Sequence, residues 1–331
     1  MSLVLPPTNE NLQRAAERLV AGSLVAFATE TVYGLGANAL NSAAVARIFE
    51  LKARPLFDPL IVHVHGIEMA RGLSQKWPIM AERLAARFWP GPLTLVLPRR
   101  DHVPDLVTAG LPNVALRWPA HPVAQQLLQL ADCPIAAPSA NRFASISPTC
   151  AADVAAELDD PELWILDGGP CQHGLESTVV SLVSDRPIVL RMGSLAVEDL
   201  EAELGPLPIA HRSVEESELQ SGLASPGHLR RHYSPRTPLR LVESPEEVLE
   251  LPSGRRTGLL CFGDQAASLR AHQFSIVENL SIQADLREAA TKLYAALRSL
   301  DQANLDLIVA LALPAHGLGR AINDRLQRAS H

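Results

Sequence analysis

The sequence predicts an α/β protein in two parts, a strand-rich mixed-sheet domain followed by a linker and a small alternating α/β domain. Three observations carry this reading. Residues 1–204 contain many short apolar runs of strand length, several with no helix between them, which a simple doubly wound sheet does not produce. Residues 205–238 are rich in proline, charged and polar residues and read as a linker. Residues 239–331 return to a regular alternation of strand-like and helical stretches. A chain of 331 residues, 47% of them apolar, suffices for two cores.

Taken in order, Thr8 can cap a first helix whose Leu12, Ala15, Ala16, Leu19 and Val20 share one face, and Gly22 ends it. Residues 23–28 (SLVAFA) read as a buried strand, and residues 43–52 as a helix behind Asn41-Ser42. Strand-like runs follow at 60–64, 93–97, 114–118, 135–138, 163–166, 178–183 and 188–191. Helical segments at 78–88, 122–131 and 151–158 lie among them. In the last part, strands at 239–242, 257–263, 274–279 and 305–313, with a helix over 282–300, predict a small parallel sheet, Rossmann-like in outline. No GxGxxG follows its first strand, so no dinucleotide is assigned.

Net charge is −7, from 29 Lys and Arg against 36 Asp and Glu. That balance argues against a general nucleic-acid binder while leaving room for a small basic pocket. Cys133, Cys150, Cys171 and Cys261 form no CxxC pair, which argues against a cysteine zinc site and a disulfide framework. No apolar run reaches the ~18 residues that span a bilayer. The expectation is a soluble cytoplasmic protein with no membrane partner.

Four clusters could carry chemistry. Thr29-Glu30-Thr31-Val32-Tyr33-Gly34-Leu35-Gly36 follows a buried strand. Hydroxyls and glycines there suit a ligand that approaches the backbone, although a polar turn is the plain alternative. Lys52-Ala53-Arg54-Pro55 closes a helix, where cations are ordinary. Pro55 turns the chain and could aim both cations into one cavity instead of along a helix face. Asp58-Pro59 and His63 follow, the histidine inside the apolar run LIVHV, where a satisfied core residue is the usual reading. Pro138-Ser139-Ala140-Asn141 and Ser147-Pro148-Thr149 offer small hydroxyl and amide groups for anionic oxygens. Capping is the alternative, and Thr149 is expected to cap a helix. Glu176-Ser177-Thr178 enters one strand and Arg191 ends the next. Arg117, inside a strand-like run, needs an acidic partner or a ligand.

The stretches ATETVYGLGANA, KARPLFDPLIVHV, WPGPLTLVL, VTAGLPNVALRWPAHP, PIAAPSANRFASISPT, LDGG, GLESTVV and VLRMG occur in that order over nearly all of the first ~200 residues. In this they resemble the YrdC-like domain of the threonylcarbamoyl-AMP synthases. SPGHLRRHYSP (225–235) is similar to the SPGxxxxHYxP segment of the family's two-domain form, and the last part looks like its Rossmann-like domain.

The resemblance implies an L-threonylcarbamoyladenylate synthase. L-threonine and bicarbonate give an N-carboxylated amino acid, which attacks the α-phosphate of ATP and releases pyrophosphate. The product serves threonylcarbamoyl modification of the tRNA adenosine next to the anticodon. It implies that Lys52 and Arg54, as the KxR pair, offset charge on carbonate and triphosphate. Thr31, His63, Arg117, Ala137 and Ser177 would bind threonine, with Arg117 on its carboxylate. Arg54, Asp58, Asn113, Ser139, Asn141, Ser147, Arg191 and Tyr233 would bind ATP, Asn141 supporting Ser139. Asp58 and Asn113 depart from the asparagine and threonine expected there. Mg²⁺ would arrive with ATP, without a protein metal site, and residues 225–235 would fold over the nucleotide as a lid. The product would pass from a monomer to tRNA-modifying transferase proteins, with no stable nucleic-acid binding. Two other readings are an RNA-binding module of the same fold, opposed by the negative charge, and a carbamoyl-AMP-forming maturation enzyme, opposed by the missing CxxC motifs.

Overall fold

The computed structural model describes residues 2–210, 232–249, 255–265, 269 and 274–331. The chain divides into two compact units. One comprises Met1–Phe143, Ser147–Gln172 and Glu176–His228, the other Ala144–Ile146, His173–Leu175 and Leu229–His331. Residues 211–231, which include most of the expected lid, lie outside the described residues.

In the first unit, β1 (Leu3–Leu5) leads into α1 (Asn9–Val20). The Thr8 hydroxyl caps α1 by accepting the Asn11 N–H at 3.2 Å. Leu12, Ala15, Ala16 and Leu19 are buried as expected, but Val20 is 53% exposed. Then come β2 (Val25–Phe27), β3 (Gly34–Asn38), α2 (Ser42–Lys52) and β4 (Ile61–His63). Asn41 caps α2 through the N–H groups of Ala43 and Ala44, both at 3.1 Å. Ala53, left-handed at φ 50°, turns the chain immediately after Lys52. The unit continues with α3 (Ile67–Leu73), α4 (Ile79–Phe88), β5 (Leu93–Pro98), α5 (Asp105–Thr108), β6 (Asn113–Arg117), α6 (Pro122–Ala131) and β7 (Ile135–Ala136). It closes with α7 (Ala151–Glu157), β8 (Trp164–Leu166), β9 (Thr178–Ser181), β10 (Ile188–Arg191) and α8 (Val197–Leu204).

These strands form one ten-stranded mixed sheet in the order β1-β8-β2-β3-β7-β4-β6-β5-β9-β10. β2 is buried on both faces: Val25 and Phe27 pack with Leu12, Leu19, Leu127 and Leu128, while Leu24 and Ala26 join the larger core on the other side. Two-sided burial explains why residues 23–28 form an unbroken apolar run. β3 falls within a stretch that reads as a glycine-rich turn. Its glycines serve packing instead: a Cβ on Gly36 would lie 2.8 Å from the Phe27 ring and 2.9 Å from Ile135 Cγ2. The cap of α7 is Cys150, one residue beyond Thr149, whose N–H and hydroxyl both bond the Asp153 carboxylate.

The second unit holds β11 (Leu239–Val242), α9 (Pro245–Leu249), β12 (Thr257–Cys261), β13 (Ile276–Asn279), α10 (Leu286–Asp301), β14 (Leu307–Leu311) and α11 (Leu318–Ala329). Its four strands are all parallel, in the order β11-β14-β12-β13, as the alternation predicts. α10 starts later than residue 282 because Asp285 caps it, accepting from Arg287 and Glu288 N–H at 2.7 and 3.2 Å.

Candidate active site

The β2–β3 connection is folded by its own hydroxyls. Thr29 donates to the Val32 carbonyl at 2.6 Å and accepts the N–H groups of Thr31 and Val32, both at 3.2 Å. With the Thr29 proton committed, the Thr31 hydroxyl donates to Thr29 at 2.8 Å and accepts from Arg117 Nη1 at 2.9 Å. Tyr33 ties in further loops. Its carbonyl accepts the Ala140 N–H at 2.8 Å, and its hydroxyl donates to the Gly169 carbonyl at 2.8 Å.

Arg117 ends β6 opposite His63 of β4 in register. Its Nε donates to the Gly91 carbonyl at 3.3 Å and its Nη2 to Glu30 Oε1 at 2.6 Å, in addition to the Thr31 bond. A guanidinium has five N–H donors, so about two are left, one on each terminal nitrogen. That pair matches the two oxygens of a carboxylate. Burial pushes the Glu30 carboxyl up, but the charge and hydrogen bond of Arg117 outweigh it and hold it below the usual range, so Glu30 is ionised. His63 packs edge-on against Phe27 with ring centroids 6.2 Å apart. Burial, then the charge of Arg117, lowers its pKa to about 3, and the ring is neutral. Its Nδ1 is buried without a hydrogen-bond partner among the described residues. Ala137 follows β7, its N–H bonded to the Ile61 carbonyl of β4 at 2.9 Å.

A second cluster is cationic. Lys52, 1% exposed, donates from Nζ to the carbonyls of Ser139 (2.6 Å) and Asn141. Arg54 donates to the carbonyls of Asp58 (3.2 Å) and Pro59 (2.9 Å), and its Nη2 lies 2.8 Å from Asp58 Oδ2. Asp58 is fully buried, and neither carboxylate oxygen makes a hydrogen bond of good geometry among the described residues. Burial raises its pKa, against the charges of Arg54, Lys52 and Arg191. Burial and the neighbouring Arg54 lower that of Lys52 well below the ordinary value. Both members of the KxR pair are thus buried. Arg191 donates to the Ser177 carbonyl (3.0 Å) and hydroxyl (3.2 Å), and the Ser177 hydroxyl meets Thr94 Oγ1 at 2.7 Å. Ser147 donates to Glu176 Oε1 at 2.7 Å.

The first unit therefore links Thr31, His63 and Arg117 in one group. Lys52, Arg54, Asp58 and Arg191 form another, with Ser139 and Asn141 attached through Lys52 and Ser177 through Arg191. Asn113 begins β6, half-buried, and bonds to none of these. Tyr233 belongs to the second unit. There it is 1% exposed and stacks on Tyr294 (centroids 5.9 Å apart), with the Arg325 guanidinium 5.0 Å from its ring. Sequence reasoning gave no role to Glu30, Thr94 or Tyr33. The signal for Glu30 was a lone carboxylate among buried residues, matching an arginine in a strand-like run.

A family model described as telomere recombination matches residues 17–193, and one described as the threonylcarbamoyl-AMP synthase C-terminal domain matches residues 195–331. The chain is 42% identical over 333 residues to the threonylcarbamoyl-AMP synthase of Bacillus subtilis, covering 98% of this chain and 94% of that protein. It is likewise 42% identical over 326 residues to that of Pyrococcus abyssi, covering 96% and 93%. The crystal structure of P. abyssi Sua5 complexed with L-threonine superposes with a TM-score of 0.90 at 39% identity, covering 100% of this chain and 97% of that one.

Proposed function

The chain belongs to the threonylcarbamoyl-AMP synthase family in its two-domain form, and from that premise we infer that its first unit carries the reaction on the two ionic clusters. Its activity is that of a nucleotidyltransferase that uses ATP to make threonylcarbamoyl-AMP. The observation that supports the assignment of subsites is their difference in charge. Arg117 and Glu30 form a neutral pair with two N–H groups to spare. Lys52, Arg54 and Arg191 all act on the Asp58 carboxylate, and Glu157 acts on Lys52 as well, so the cations outnumber the carboxylates. The first suits an amino acid, the second a triphosphate.

In this reading Arg117 holds the threonine carboxylate, with Thr31, His63, Ala137 and Ser177 around the rest of the molecule. Threonine binds as its zwitterion and its ammonium gives up one proton to solvent; the resulting amine attacks the carbon of bicarbonate, giving the N-carboxylate and water. A carboxylate oxygen then attacks the α-phosphorus of ATP, the anhydride bond forms, and pyrophosphate leaves. Arg54, Asp58, Asn113, Ser139, Asn141, Ser147 and Arg191 line the nucleotide subsite, and Lys52 acts on the anionic transition state with Arg54. Tyr233 joins this set on the resemblance of its segment. No protein nucleophile is required, because positioning and charge do the work. Mg²⁺ enters as part of the ATP substrate; among the described residues no three His, Cys, Asp or Glu side chains are grouped to hold a metal. We assign catalysis to 1–204, a linker to 205–238 and a separate domain to 239–331. A cytoplasmic monomer passing its product to tRNA-modifying transferases completes the proposal, supported by the family.

The test is incubation with ATP, L-threonine, bicarbonate and Mg²⁺, followed by assay of pyrophosphate and the adenylate. Pyrophosphate release that ignores threonine would sink the reading.

A further inference from the structure

Glu30 has no part in the chemistry above, yet it is the buried partner of the residue that binds the amino acid. Its side chain is 2% exposed, and that of Arg117 is 4%. Oε1 takes Nη2 of Arg117 at 2.6 Å, and Oε2 has no hydrogen-bond partner among the described residues. Thr31, the next residue, takes Nη1. Adjacent residues of one connection thus grip both terminal nitrogens of the fork, while the Gly91 carbonyl holds Nε. The orientation of a guanidinium is fixed by such contacts, and its bidentate selectivity depends on it.

Charge gives a second argument. Threonine is a zwitterion with no net charge, whereas ATP is a polyanion. A buried arginine without a counter-ion would be an additional anion site in the same unit as the Lys52, Arg54 and Arg191 cluster. Glu30 removes that option without using the donors that face a ligand.

We propose that Glu30 is the positioning residue of the amino-acid subsite: it aims the two remaining N–H groups of Arg117 and cancels its charge, so the subsite takes a zwitterion and refuses a simple anion. The inference rests on Arg117 binding the threonine carboxylate.

The test uses the full chain with Glu30→Gln and Glu30→Asp. Rates are measured against threonine at saturating ATP and against ATP at saturating threonine. 3-Hydroxybutyrate, which is threonine without its ammonium, serves as an inhibitor. For Glu30→Gln the threonine KM should rise at least about tenfold, with the ATP KM within about twofold and inhibition by 3-hydroxybutyrate strengthened relative to wild type. Equal rises in both KM values, or none, would overturn the proposal. Should the Gln protein show no ATP-dependent thermal shift, Glu30→Asp carries the test, because it keeps the charge but displaces it. Its threonine KM should rise with no gain in 3-hydroxybutyrate inhibition, and an unchanged KM would overturn the proposal. A wild-type protein without threonine-dependent turnover would instead remove the site reading beneath it.

Discussion

Lys52 Nζ lies 2.6 Å from the carbonyl oxygen of Ser139, tying the end of α2 to the loop that carries Ser139 and Asn141. The same ammonium also reaches the Asn141 carbonyl. Lysine in this position both holds the loop and places a cation beside it, and two separate measurements on one variant follow these effects.

Lys52→Met removes the charge and leaves two loop carbonyls without their donor. We expect a stability loss of about 1–3 kcal/mol in urea unfolding, and pyrophosphate release lowered by ~10²-fold or more. Arg54→Ala should lower turnover by a similar factor, since Arg54 is the counter-ion of buried Asp58. Near-wild-type turnover in both variants would contradict a role for the pair in catalysis.

Amino-acid choice follows from Thr31, His63 and Ser177. A methyl-sized difference gives only ~10–200-fold discrimination, whereas stranding a buried polar partner rejects far more strongly. His63 Nδ1, buried without a partner among the described residues, is such a group. Valine should therefore be rejected more strongly than serine in competition assays. Equal use of threonine and valine would show that the hydroxyl is not read.

Acid stability has a definite sign. The pKa of His63 is lowered from 6.5 to about 3, first by burial and then by Arg117. The unfolded chain binds this proton at a pH where the folded chain does not. The contribution is present above pH ~6.5 and is lost as pH falls through the folded pKa, by an amount on the order of 4–5 kcal/mol. Replacing His63 by Gln should flatten the acid limb of a denaturation series over that window. An unchanged limb would mean that other groups set it.

Tyr233 calls for two variants. Tyr233→Ala should destabilise the second unit by about 3 kcal/mol or more, because the ring is 1% exposed against Tyr294 and Arg325. Tyr233→Phe keeps the stack and removes only the hydroxyl. If Tyr233 contacts ATP, the Phe protein should melt within a few degrees of wild type and bind ATP more weakly in calorimetry. Unchanged affinity would leave Tyr233 a packing residue.

The positions of buried strands along the chain are legible because two-sided burial writes apolar runs such as residues 23–28 directly into the sequence. β3 is not, because its glycines answer to the Phe27 ring and Ile135, contacts remote in sequence or on another strand. β1 escaped notice for another reason: it has three residues, of which Leu3 and Val4 are both exposed, and so short a run carries no period. At the site, Arg117 is legible as a cation inside a strand-like run, whereas Lys52 and Arg54 stand at a helix end where cations are ordinary and gain their meaning from the resemblance. Glu30 and Thr94 were not given roles, since each acquires one only through a partner that the sheet brings from far along the chain, Arg117 and Ser177.

Strand pairing also sets a timetable for synthesis. β2 (Val25–Phe27) has β8 (Trp164–Leu166) as one neighbour, and β5 (Leu93–Pro98) waits for β9 (Thr178–Ser181). At roughly 5–20 residues per second, the ribosome needs about 7–30 s between making β2 and making that partner. During that interval β2 offers one apolar, unpaired edge to any other nascent chain. The long-range sheet that assembles the two ionic clusters therefore makes this protein dependent on shielding while it is being made, and slow refolding from denaturant should accompany it.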